Sequence, residues 1–179
     1  MLPALFRLFP TRRKPPMAQL VIPDLPSVHG WVGKKLGTSD WFEVSQERID
    51  RFADVTSDRQ WIHVDRERAK RDSPFGGTIA HGHLTLSLAP HLFHQIVEVK
   101  GVAMIVNPGI EHMRLRAPVR AGERVRLHAT LKGARDLPGG ALRIMLGLLF
   151  EVEGQSRPAA VGDAALVFYP APGDPGQAP

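Results

Sequence analysis

Hydrophobic positions change their period near residue 102. Before it they recur every three to four residues, as on one face of a helix; after it they alternate, as on a half-buried strand. Ile49, Phe52, Ala53 and Thr56 form an inward stripe behind Ser45, whose hydroxyl suits an N-cap, and Glu47, whose charge suits a first turn. That helix is predicted to close near Ser57 and to deliver Asp58 into a loop that also carries His63. A short strand, Trp41–Val44, precedes it. Asp65 suits the cap of a charge-laced helix, RERAKRD, which Pro74 stops. After a turn at Phe75-Gly76-Gly77-Thr78, the run Ile79–Val97 is apolar nearly all round a helical wheel, the pattern of a buried helix. Pro90 inside it is predicted to kink the helix or end a first segment. Residues 17–39, with Pro23, Pro26, Gly30, Gly33 and Gly37, read as an irregular lead-in with at most one helical turn.

Beyond residue 102, Glu111, Met113, Leu115 and Ala117 alternate with Ile110, His112, Arg114 and Arg116. Val125, Leu127 and Ala129 alternate in the same way with Arg124, Arg126 and His128, and Pro118–Gly122 reads as the turn joining the two strands. Asp136–Gly140 marks the next hairpin, Leu142–Val152 a central strand apolar on both faces, and Ala159–Tyr169 the last strand. The economical way to enclose a wholly apolar helix is one antiparallel sheet wrapped around it, an α+β hot-dog fold.

The length of 179 residues suits one domain, here 17–169, with residues 1–16 expected to be a disordered N-terminal extension and 170–179 a disordered tail. Cysteine is absent, which excludes disulfides, thiolate catalysis and thiolate metal ligands. No apolar run reaches the ~18 residues of a membrane span, and a cytoplasmic location is expected. The net charge of +5 sits largely on Arg7, Arg12, Arg13 and Lys14. No helix-turn-helix, finger or RNP motif accompanies it, so nucleic acid is not an expected partner. A modestly basic surface also suits a phosphate-bearing ligand.

Two stretches carry candidate chemistry. In the first, Asp58 and His63 share a loop from which a carboxylate and an imidazole can reach one water and perform acid–base work. By spacing alone the commoner outcome is a turn-capping Asp and a packed His beside Trp61. In the second, Gly82 opens the apolar helix, and its backbone N–H is free to donate to a developing oxyanion. Ser87 reads as a core polar residue bonded back to its own helix. His81, His83, His91 and His94 raise the question of a metal, but His81 and His83 diverge on a helix and no HExxH pattern exists, so no metal is expected.

On QWIHVD and GGTIAHGHLTLSL the chain resembles the MaoC-type (R)-specific enoyl-CoA hydratases, within them the nodulation protein N-like branch. The strong matching covers about residues 48–90, with weaker strand-pattern matching to about 169. The resemblance implies a hydro-lyase acting on a trans-2-enoyl thioester. Asp58 and His63 would activate water, and the Gly82 N–H would polarise the thioester carbonyl. Where the family usually has Asn-Pro between the Asp and the His, this chain has Gln60 and Trp61, at preserved spacing. Gln60 and His81 are expected to support the site, His81 by capping or buttressing the turn. Coenzyme A enters as part of the substrate, with no other cofactor. An open sheet edge, as well as the resemblance, points to a homodimer. Two other readings use the same fold: an acyl-CoA thioesterase, and a non-catalytic acyl-thioester binding protein.

Overall fold

In the computed structural model, which describes residues 18–171, the run 79–97 is the axis around which the rest is wrapped. It forms two helices, α4 (Gly82–Ser87) and α5 (Ala89–Ile96), divided at Leu88. Pro90 lies in the first turn of α5, where its missing N–H costs nothing. The expected enclosure on all sides is corrected by the structure. Leu84, Leu88, Leu92 and Ile96 face the core, while His83, Ser87, Pro90, His91 and His94 form an exposed stripe. The sheet is open at one edge and does not reach round that side of the helix.

Ahead of the axis stand α1 (Gln46–Thr56), α2 (Trp61–Val64) and α3 (Arg66–Asp72). The Ser45 hydroxyl accepts from Arg48 N, and Asp65 caps α3 by accepting from Arg68 N at 2.9 Å. His63 was expected in a loop; it lies instead on the single turn α2, because the segment after Gln60 closes Asp65 N onto Trp61 O at 3.0 Å.

The main sheet has the order β2-β6-β7-β8-β5, with β3 (Phe42–Glu43) also pairing β6. Its long members are β5 (Val102–Leu115), β6 (Arg124–Asp136), β7 (Leu142–Val152) and β8 (Ala160–Pro170), all antiparallel neighbours. Pro170, expected in the tail, ends β8 opposite Val102. The expected extensions 1–16 and 172–179 lie outside the described residues.

Two expectations fail for the same physical reason, pairing between residues far apart in the chain. The lead-in is not irregular: β1 (Leu20–Ile22) pairs in parallel with β4 (Val97–Val99), a six-residue 3₁₀ helix follows at Pro26–Trp31, and β2 (Lys35–Thr38) pairs with β6. Gly37 lets β2 lie close against α5, since a β-carbon there would lie 2.9 Å from Ile96 Cγ2. Nor is Pro118–Gly122 a hairpin turn. β5 pairs with β8 at the far side of the sheet, and 118–122 is a crossover held by the segment before α4. Ala80 N donates to Val119 O at 2.7 Å and Ala121 N to Thr78 O at 3.0 Å.

The core lies between the helical axis and the inner sheet face, where Val125, Leu127, Leu131, Ile144, Leu146, Phe150 and Phe168 are almost wholly buried. β5 is the exception. It forms an exposed edge with three register irregularities, a left-handed His112 (φ 52°), and Met104, Ile105, Val106, Ile110 and Leu115 largely in solvent.

Candidate active site

Asp58 reaches its place because α1 ends on Ser57 in the left-handed conformation (φ 59°, ψ 15°), which turns the chain sharply out of the helix. The Asp58 side chain is 56% exposed, and its loop continues through the exposed Gln60 into α2. His63, on α2, is by contrast 7% exposed. The extended segment Thr78–Ala80 lies against both neighbours: Ile79 N donates to Ile62 O at 3.0 Å, and Ile79 bridges to Arg120. This brings Ile79 O within 2.7 Å of His63 Nδ1. A carbonyl only accepts, so Nδ1 carries the hydrogen and the lone pair of the neutral ring is on Nε2. Burial lowers the His63 pKa below the ordinary 6.5 and the neighbouring His81 adds to this, against the opposing pull of Ile79 O and Asp58. Burial thus favours the neutral ring.

His81 stands directly before α4 and is 3% exposed. Its side chain makes no capping hydrogen bond to α4; its Nε2 lies 2.9 Å from Asp58 O. Its ring stacks on His63 at 3.7 Å with 26° between planes, and Phe52 of α1 lies 5.1 Å away. One carboxylate oxygen of Asp58 and one ring nitrogen of each histidine lie within 4.8 Å of one another.

Gly82 is the first residue of α4, so its N–H has no acceptor within the helix. A β-carbon on it would sit 2.2 Å from Leu115 Cδ1, and the bare glycine thus leaves room where β5 approaches. Gly82, Thr85, Leu115, Arg116 and Phe75 border a cavity of about 260 Å³ at this point. Farther along the helices, two adjoining cavities of about 220 and 130 Å³ follow the exposed stripe. They share Ala89, Pro90, Asn107, Leu148 and Ala164, and together form a mainly apolar groove between the helices and β5.

The structure thus brings Asp58, His63 and His81 together, with Gly82 next to His81 in the chain. Gln60 sits at the start of α2 with no capping hydrogen bond from its side chain. Sequence reasoning missed Gln46. Its amide donates to His63 O at 2.7 Å and to Asp50 Oδ1 at 2.7 Å, and accepts from the Thr78 hydroxyl, joining α1, α2 and the segment before α4. Nothing in the local pattern marks a glutamine at the first position of a helix for this task. His91 and His94 lie elsewhere: His91 packs edge-on against Phe42, and His94 Nδ1 is 2.6 Å from Pro90 O. Ser87 Oγ donates to His83 O at 2.7 Å, the back-bonding expected of it, but from the exposed side rather than the core.

Comparison with known proteins agrees with this architecture. Residues 28–140 match the family model described as MaoC like domain. The 3-hydroxyacyl-thioester dehydratase Z of Mycobacterium tuberculosis (strain ATCC 25618 / H37Rv) is 48% identical over 136 residues, 76% of this chain and 89% of that protein. Nodulation protein N of Rhizobium leguminosarum bv. viciae is 38% identical over 159 residues, 88% of this chain and 97% of its own length. Among solved structures, the unliganded R-hydratase of Pseudomonas aeruginosa superposes with a TM-score of 0.62 at 21% identity, covering 78% of this chain and 83% of that one, which bears on the fold alone. The chain belongs to the MaoC-like family and has its hot-dog fold.

Proposed function

We propose that the protein is a hydro-lyase that adds water reversibly to a trans-2-enoyl thioester, giving the (3R)-hydroxyacyl thioester. The observation that carries this reading is the pairing of an exposed carboxylate, Asp58, with a buried neutral imidazole, His63, whose free Nε2 is defined by the Nδ1 contact to Ile79 O. In the hydration direction the pair takes one proton from water as its oxygen bonds to C3. The C2–C3 π electrons move toward the thioester carbonyl, whose developing negative charge the Gly82 N–H stabilises, and the pair supplies one proton to C2. Dehydration reverses each step. The similarity to a 3-hydroxyacyl-thioester dehydratase supports the substrate class. The apolar groove along α4 and α5 suits an acyl chain, and coenzyme A belongs to the substrate; neither a metal nor a redox group is needed for these steps. The exposed apolar edge β5 supports assembly as a homodimer.

The test is loss of enoyl absorbance with crotonyl-CoA and a longer enoyl-CoA, followed by chiral analysis of the product. An (R)-3-hydroxyacyl product abolished by Asp58→Asn supports the reading. Release of free thiol without hydration would assign the site to thioester hydrolysis, and binding without turnover to an acyl-thioester binding protein.

A further inference from the structure

His81 takes no part in the steps above, yet the site is built on it. We infer that His81 is a positioning residue for both members of the acid–base pair, acting through the hydrogen bond its Nε2–H donates to Asp58 O and through its stacked ring; this rests on the proposed roles of Asp58 and His63. Asp58 O can only accept, so the 2.9 Å contact requires the hydrogen on His81 Nε2. In the neutral ring the lone pair is then on Nδ1, which is buried with no hydrogen-bond partner among the described residues. An apolar ring would fill the same space without burying an unpaired acceptor, so packing alone gives no reason for a histidine here. What the histidine adds is the donor on its other side.

That donor acts where restraint is scarce. Residues 57–60 have no regular secondary structure and lie on the surface, and another polar tie of this loop, Arg59 to Asp54 at 2.7 Å, is itself exposed and therefore weak. His81 is buried and fixed at the start of α4, so its Nε2–H anchors the Asp58 backbone to the rigid axis of the fold. The same ring forms the wall on which His63 stacks. A single side chain thus sets the distance of the carboxylate and the plane of the imidazole relative to each other, immediately before the proposed carbonyl donor Gly82. Errors of about 1 Å in such placement are worth up to ~10²-fold in rate.

The experiment separates the ring from the donor. His81→Phe keeps a stacked ring and removes the donor; His81→Gln keeps an N–H near Nε2 and removes the ring. With turnover expressed per folded protomer, His81→Phe is expected to lower kcat by about 10–100-fold with KM within about threefold, and His81→Gln, which restores the donor but not the stacked ring, to recover only part of that loss. Added to Asp58→Asn, His81→Phe should cause little further loss, because the residue whose placement it controls is already disabled. Wild-type kcat in folded His81→Phe, or a full multiplicative loss on top of Asp58→Asn, would overturn the inference and leave His81 a packing residue. Full activity in Asp58→Asn alone would instead overturn the acid–base reading beneath it. If His81→Phe does not fold, ¹⁵N NMR of the wild-type imidazoles decides. A proton on His81 Nε2 supports the anchor, and an Nδ1–H tautomer excludes it.

Discussion

At the scale of single residues, the site depends on which nitrogen of each histidine carries the proton, and backbone carbonyls decide that for both. Asp58→Asn and His63→Ala are each expected to lower hydration turnover by about 10²–10⁴-fold, the usual worth of a positioned acid or base. Because both groups act on one water, the double variant should lose far less than the product of the two effects, which steady-state kinetics on the three variants measures directly. The depressed pKa of His63 sets the sign of a second effect. Its ordinary value is 6.5, and burial holds the folded-state value below that. As pH falls through 6.5 the unfolded chain takes up a proton before the folded one does, so this residue's contribution to stability is present above 6.5 and is lost below it. The acid limb of kcat/KM, which reports the free enzyme, is accordingly expected below pH 6.5. A limb above that value, absent in His63→Ala background activity, would contradict the assignment of His63 as the base.

At the scale of elements, the chemistry is held by contacts that join segments rather than by any one of them. Gln46 binds α1 to α2 through His63 O and to the segment before α4 through the Thr78 hydroxyl, with a third hydrogen bond to Asp50 within α1. Gln46→Ala is expected to destabilise the fold by about 1–3 kcal/mol, since it leaves partly buried partners unsatisfied, and to reduce turnover by loosening α2. Denaturant unfolding and kinetics on the same preparation read both. On the outer sheet face a different polar chain ties three strands: Thr38 of β2 and His128 of β6 at 2.9 Å, His128 and Glu151 of β7 at 2.5 Å, and Arg126 of β6 donating to Glu151 at 2.6 Å while lying over Trp41. The Arg126 guanidinium, with His128 behind it, holds the Glu151 carboxyl below its ordinary 4.5. That contribution is present above pH 4.5 and is lost as pH falls through the folded-state value. Glu151→Gln should therefore lower the melting temperature near neutral pH and flatten its acid dependence, with turnover unchanged because the chain faces away from the helical axis.

At the scale of the whole molecule, the feature that bears on the proposed dimer is the open edge. β5 carries Met104, Ile105, Val106, Ile110 and Leu115 in solvent, an apolar edge that an isolated chain would leave as a template for association. Light scattering at micromolar concentration is expected to give about twice the chain mass of 19.7 kDa, and Ile110→Lys to shift the equilibrium toward monomer. A clean monomer with full activity would show that the edge is not used. Among the described residues no helix is long and apolar enough to cross a membrane.

The sequence by itself determined what local physics can specify. A capped amphipathic stripe gave α1, an embedded proline divided the axis at Leu88, alternation gave the long strands, and two short motifs held Asp58, His63 and Gly82. Each depends on neighbours within a few residues in the chain. Tertiary structure decided the remainder: that the glycine-rich lead-in pairs as β1 and β2, that β5 crosses to β8, and that the helical axis keeps an exposed stripe. It also decided the site's supports. The contacts of Gln46 to His63 and Thr78, the stacking of His81 on His63 and the carbonyls that meet both histidines all join residues 16 to 32 positions apart. Hydrophobic period reports which side of an element is buried, and carries no record of which distant backbone atom that side will meet.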